Sequence, residues 1–204
     1  GLEPNFGCCT ANFNQAFPKF VLSSFLRNGN DIISASLMPS ILNTKIDGND
    51  VNIELITDYP FKNSLTYKIT TSAPTSFRLL VRVPAYMKKN ISDDYLVFDK
   101  TWSGEETVDV TLDFDVEYIT RPRNTVCLKY GPMIYSVAID ENKVMHEYTR
   151  NGVVRKYPYC DYEIYPASDW NYAFTKTSEF KIKENEDPEY PFSSERPAVE
   201  IYAD

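Results

Sequence analysis

One histidine, two tryptophans and four cysteines in 204 residues leave little material for several common chemistries. A single imidazole serves at most one role. No Ser/His/Asp triad is visible in the sequence, and no Gly-x-Ser-x-Gly elbow exists. It also lacks a glycine loop of the kind that cradles phosphate. The four cysteines, Cys8, Cys9, Cys127 and Cys160, are scattered and make no disulfide framework, so they do not indicate a redox compartment. No apolar run approaches the length of a membrane span, and no signal peptide is visible. Bases are in deficit, 21 Lys and Arg against 29 Asp and Glu, for a net charge of −8. Nucleic acid calls for a basic stripe, which is missing, and an anionic membrane surface is disfavoured for the same reason. A neutral sugar or another protein remains permissible. Internal repeats and low-complexity tracts are absent, and the single Asn90-Ile91-Ser92 sequon is too common a tripeptide to use.

What the chain does have is alternation. Val51, Ile53 and Leu55 alternate with Asn52 and Glu54, and Leu65, Tyr67 and Ile69 repeat the pattern. Phe77, Leu79, Val81 and Val83 follow, with Arg78 and Arg82 together on a solvated, salt-bridging face. Val108 to Val116 is the clearest strand, and Val126 to Ile139 reads as one or two more, bent at Gly131-Pro132. Turn signals separate these runs: Asn28-Gly29-Asn30, Asp47-Gly48, Asp58-Tyr59-Pro60-Phe61 and Asn151-Gly152. Strands every ten residues or so, with no helical periodicity after Arg27, predict a mainly β chain, an antiparallel sandwich. We expect that sandwich over residues 30–140, with residues 141–204 completing it or starting a second small β domain. Length allows one large or two small domains.

Before the sandwich, residues 1–29 hold a helical run. Phe13, Phe17, Phe20, Val21, Ser24 and Phe25 recur at three- and four-residue steps. Thr10 reads as its N-cap, and Pro18 predicts a kink or restart. Cys8 and Cys9 stand directly before that cap. A thiol at a helix N-terminus ionises more easily, which makes this pair the best candidate for a nucleophile or for soft metal ligands. Packing is the plainer role for a cysteine, and a vicinal disulfide requires a strained ring. Zinc wants about four ligands, and neither Cys127, Cys160 nor His146 stands at ligand spacing from the pair.

The run Phe6-Gly7-Cys8-Cys9-Thr10-Ala11-Asn12-Phe13-Asn14-Gln15-Ala16-Phe17-Pro18-Lys19-Phe20-Val21 resembles the end of the catalytic domain in glycoside hydrolases like the family 127 β-L-arabinofuranosidases. The resemblance continues through Thr57-Asp58-Tyr59-Pro60-Phe61, Phe77-Arg78-Leu79-Leu80-Val81-Arg82-Val83-Pro84-Ala85 and Trp102 with Gly104. It then takes in Tyr130-Gly131-Pro132-Met133-Ile134-Tyr135 and Asp169-Trp170-Asn171-Tyr172-Ala173. Each motif is weak singly; their order and spacing over nearly the whole chain make the match specific. One departure is that Lys88 to Asp99 lacks the Asn-Gly turn expected ahead of Trp102.

The resemblance implies an (α/α)6 barrel followed by β-sandwich domains, with residues 1–29 as the barrel's remnant. It implies a retaining mechanism in which a cysteine thiolate held on zinc attacks the anomeric carbon, while a glutamic acid acts as general acid and then base. Carried over, Cys8 is the nucleophile and Cys9 a zinc ligand, with Cys8 also on the metal. The glutamate and the remaining zinc ligands lie upstream of the double cysteine in that family. The chain starts at Gly1 without a methionine and ends in a strand-like Val199-Glu200-Ile201-Tyr202. The expectation is therefore a fragment that binds no zinc and hydrolyses nothing unaided. Its partners would be the missing N-terminal barrel and a glycan containing L-arabinose, with a homo-oligomer and either side of the membrane left open. A carbohydrate-binding module and a purely structural sandwich are the competing readings. Trp102 and Trp170 are expected as anchors packed between layers.

Overall fold

The computed structural model describes residues 7–87, 91–175, 178–186, 189–193 and 195–203, with backbone alone for residues 7 and 9–11. Among these, one helix precedes a mainly β chain. The order is α1 (Gly7–Leu22), β1 (Phe25–Asn28), β2 (Asp31–Ser34), β3 (Ser40–Ile46), β4 (Asn49–Ile56), β5 (Ser64–Arg82) and β6 (Tyr95–Thr111). Then come β7 (Val116–Thr120), β8 (Val126–Tyr130), β9 (Met133–Tyr135), β10 (Glu141–His146), β11 (Tyr148–Arg150), β12 (Val153–Arg155), β13 (Asp161–Pro166), β14 (Phe180–Glu184) and β15 (Val199–Ala203). The chain divides into two compact units. One is Asn14–Ile134; the other joins Gly1–Phe13 to Tyr135–Asp204.

The Asn14–Ile134 unit is built around β5. The sequence predicts two strands here, and the structure makes them one, 19 residues long. Leu65, Tyr67, Ile69 and Thr71, then Thr75, Phe77, Leu79 and Val81, are all buried, so one face of the strand points inward from end to end. Its first half pairs with β4 and its second half with β2, while β6 runs antiparallel beside both halves. The register slips between Thr71 and Thr75. A straight strand from Tyr67 to Val81 would span about 46 Å. Yet the Tyr67 hydroxyl donates to Ser34 Oγ at 2.7 Å, and Ser34 is paired with Val81. The strand therefore doubles back at the slip, and its two halves face each other across one core, as in a sandwich. Ile32, Ile53, Leu55, Trp102, Val110 and Leu112 fill that core from the neighbouring strands.

Several local expectations change. The helix runs without a break through Pro18 and stops at Leu22; Phe25, which continues the helical spacing, instead opens β1, paired with Ser34. Thr10 lies inside α1, not ahead of it, because the helix starts at Gly7. The β2–β5 pairing is parallel, Ile32 opposite Leu79. The predicted strand to Val116 ends at Thr111, where Asn63 closes the edge: its carbonyl accepts from Leu112 N–H at 2.7 Å and its amide donates to Leu112 C=O at 3.0 Å. The hairpin turns behave as expected, with positive φ at Asp47 and Gly48 between β3 and β4 and at Asn151 and Gly152 between β11 and β12.

Candidate functional site

Cys8 sits in the first turn of α1 with its thiol exposed, and its carbonyl accepts from Asn12 Nδ2 at 2.7 Å. Cys9 follows it in the same turn, and its side chain lies outside the described residues. Every described side chain of α1 is exposed, including Phe13 at 67%, Phe17 at 62% and Phe20 at 62%. Nothing in the helix's own sequence accounts for that much apolar surface in water. Zinc takes about four N, S or O ligands. Among the described residues no group of three or more His, Cys, Asp or Glu is placed to hold a metal ion. The described donors do not by themselves fit a zinc centre. Cys127 lies in β8, and Cys160 just ahead of β13.

The motifs of the Asn14–Ile134 unit converge on Phe114. Tyr130 meets its ring edge-to-face with centroids 5.3 Å apart, Tyr86 does so at 5.6 Å, and Tyr59 stands at 6.5 Å. Gly131 lies against the same ring. Burial, and then the neighbouring Tyr59 hydroxyl, pushes the Tyr86 phenol far above the ordinary tyrosine range. Trp102 is 1% exposed, stacks on Phe77 at 5.5 Å and donates from Nε1 to the Phe77 carbonyl at 3.0 Å. Arg78 and Asp31 form a two-point ion pair on the outer face, Nε to Oδ1 at 2.9 Å, as the paired arginine face predicts. These residues pack and anchor.

Trp170 does not anchor. It is 63% exposed, and Tyr157, Tyr159 and Tyr172 are exposed with it at 71%, 67% and 65%. On the β10–β13 ribbon, His146 pairs with the Glu163 carboxylate at 3.3 Å, and Tyr165 donates its hydroxyl to the same carboxylate at 2.9 Å. The Tyr165 bond first, and then His146, holds Glu163 below its ordinary value. Sequence reasoning passed over this cluster: Glu141 to His146 shows no apolar–polar alternation, and its pairing with Asp161–Pro166 joins residues distant in the chain.

No protein-family model matches the chain, and no curated protein matches it in sequence. Solved structures do match its fold. A GH127 β-L-arabinofuranosidase from Geobacillus stearothermophilus T6 is similar over 97% of this chain and 34% of its own, at 16% identity and a TM-score of 0.55. Another GH127 β-arabinofuranosidase is similar over 97% of this chain and 35% of its own, at 13% identity and a TM-score of 0.56. A third structure, described as a glycoside hydrolase, is similar over 84% of this chain and 34% of its own, at 16% identity and a TM-score of 0.54. The chain thus spans about a third of the structures it matches and shares with that third the fold of a GH127 β-L-arabinofuranosidase.

Proposed function

We propose that the chain is the C-terminal, β-sandwich part of a retaining glycoside hydrolase acting on glycans that contain L-arabinose. In this reading Cys8 is the nucleophile and Cys9 a zinc ligand. The acid/base glutamate and the other ligands belong to an upstream barrel, and the 204-residue chain alone is inactive. The fold likeness over 97% of the chain, against a third of its match, carries the proposal. The exposed Cys8 thiol and the exposed Phe13, Phe17 and Phe20 rings support it, since a docked barrel would cover such a surface. What zinc supplies, when bound, is a thiol kept ionised near neutrality, replacing one of the two carboxylates of ordinary retaining hydrolysis. The described donors here are too few for the ion, so no step is derived through it.

The test is elemental analysis for zinc, together with activity on an aryl β-L-arabinofuranoside. The 204-residue chain should carry no zinc and release no product. A polypeptide extended upstream through the barrel should hold zinc, lose it in the Cys8→Ser, Cys9→Ser double variant, and lose at least about a thousandfold in kcat with Cys8→Ser alone. Near-stoichiometric zinc on the short chain, removed by the double variant, would show that the pair recruits its ligands internally. Unchanged turnover in Cys8→Ser would remove the nucleophile assignment. The exposed aromatics between Tyr157 and Phe174 favour one second reading, a carbohydrate-binding surface.

A further inference from the structure

The chain holds two Asn-Gly pairs, Asn28-Gly29 and Asn151-Gly152, and both are exposed. Asparagine is a thermolabile residue, most so before glycine, where no side chain hinders the next backbone nitrogen. Sequence alone does not rank the two pairs; the structure separates them. At Asn28 the turn is clamped. Arg27 donates from Nε to the Gly29 carbonyl at 2.6 Å and from Nη1 to the Lys45 carbonyl at 2.8 Å, and Asn30 Nδ2 donates to Asp47 Oδ2 at 2.9 Å. Strand β1, which leads into this turn, belongs to the six-stranded sheet. Asn151 and Gly152 instead form the whole connection between β11 and β12, a ribbon of three pairs that joins no other strand among the described residues. A two-stranded ribbon of this length is marginal in water. Its ladder closes at Arg150 and Val153, so the Gly152 N–H lies outside the pairing. Among the described residues no hydrogen bond holds the Asn151 side chain.

We propose that Asn151-Gly152 is a site of spontaneous succinimide formation, which converts asparagine to aspartyl and isoaspartyl residues, and that the Arg27 clamp withholds Asn28 from the same reaction. The Gly152 amide nitrogen attacks Asn151 Cγ. A Cγ–N bond forms, the Cγ–Nδ2 bond breaks, and the proton lost by the Gly152 nitrogen leaves on ammonia. Water then opens the five-membered imide at either carbonyl, and it is the only co-reactant. Ring closure requires the nitrogen to swing over the preceding side chain, a movement that the clamped turn resists and the short ribbon permits. Opening toward the isoaspartyl product puts an extra methylene into the main chain. A two-residue turn with positive φ at both positions, +55° at Asn151 and +77° at Gly152, no longer fits that length. The product therefore loosens the Arg150–Val153 pair and adds one negative charge to a chain already at −8.

Ageing of the 204-residue chain at mildly alkaline pH tests this, read by peptide mass mapping and by isoaspartyl-specific carboxyl methylation. In the folded chain, position 151 should convert at least about tenfold faster than position 28. In guanidinium chloride, where neither turn persists, the two rates should come within about threefold of each other. Arg27→Ala, with its cooperative unfolding transition retained, should speed conversion at position 28 at least about threefold and leave position 151 unchanged. Asn151→Gln, whose longer side chain closes a six-membered ring far more slowly, should remove most of the methylation signal. Equal rates at the two positions in the folded chain overturn the proposal, and so does faster conversion of Asn28. An Asn151 that stays intact for as long as the denatured chain takes to convert overturns it too. A rate at position 28 unmoved by Arg27→Ala removes the clamp.

Discussion

Tyr67 is fully buried, and its hydroxyl closes the two layers of the sandwich onto each other through Ser34. Burial raises its ionisation to about 12, with the Ser34 bond opposing the shift. The unfolded chain releases this proton near pH 10, while the folded one holds it to about 12. The stability associated with Tyr67 is therefore intact below about pH 10 and falls as pH rises toward 12, by roughly 1.4 kcal/mol per unit. Urea unfolding from pH 9 to 12 should show that loss, and Tyr67→Phe should flatten it. At Gly131 the constraint is steric. A Cβ there would lie 2.8 Å from three ring carbons of Phe114, and φ is +55°. The ring is held by Tyr59, Tyr86 and Tyr130 and has little room to move. Gly131→Ala should cost about 1–3 kcal/mol, read as a lower denaturation midpoint with unchanged m.

At the scale of elements, α1 and β5 contrast. A 16-residue helix with a proline inside it and all its described side chains in water has little to hold it by local propensity alone. Phe20→Asp should therefore leave the thermal midpoint of the 204-residue chain nearly unchanged, within about 0.5 kcal/mol, as for other exposed sites. In a polypeptide extended upstream, the same change should lower the midpoint clearly if a barrel covers the ring. An equal small effect in both would argue against docking through this face. Strand β5 depends on long-range pairing instead. Its halves are stabilised by different neighbours and by Trp102, whose removal to alanine should cost about 3–5 kcal/mol. Asn49 Nδ2 also donates to Thr75 Oγ1 at 3.0 Å, tying the β3–β4 turn to the bend.

For the whole molecule, the two tryptophans report separately on the two compact units. Trp102 belongs to Asn14–Ile134 and is 1% exposed; Trp170 belongs to the other unit and is 63% exposed. Trp170→Phe should leave blue-shifted emission resistant to acrylamide. Trp102→Phe should leave red-shifted, readily quenched emission, and it should also destabilise the core by leaving the Phe77 carbonyl without its donor. Emission from Trp170 that is itself protected in the full chain would contradict the exposure seen here.

The sequence alone determined what neighbours along the chain decide. Asp47-Gly48 and Asn151-Gly152 turn where they stand because their φ preferences are local. The alternation of Val51 to Leu55 and of Phe77 to Val83 sets which side chains face inward, whatever strand they pair with. The order of motifs from Cys8 to Trp170 likewise pointed to the glycosidase fold. Only the tertiary structure decided the rest, because it depends on residues distant in sequence. Phe25 leaves the helical pattern since its backbone pairs with Ser34, and Leu65–Ile69 and Phe77–Val81 become one strand because β6 runs alongside both. Trp170 stays in water because no layer among the described residues closes over it. The Cys8 assignment rests on likeness alone, and a metal centre needs converging donors. Convergence is a property of packing, and spacing within one short run does not encode it.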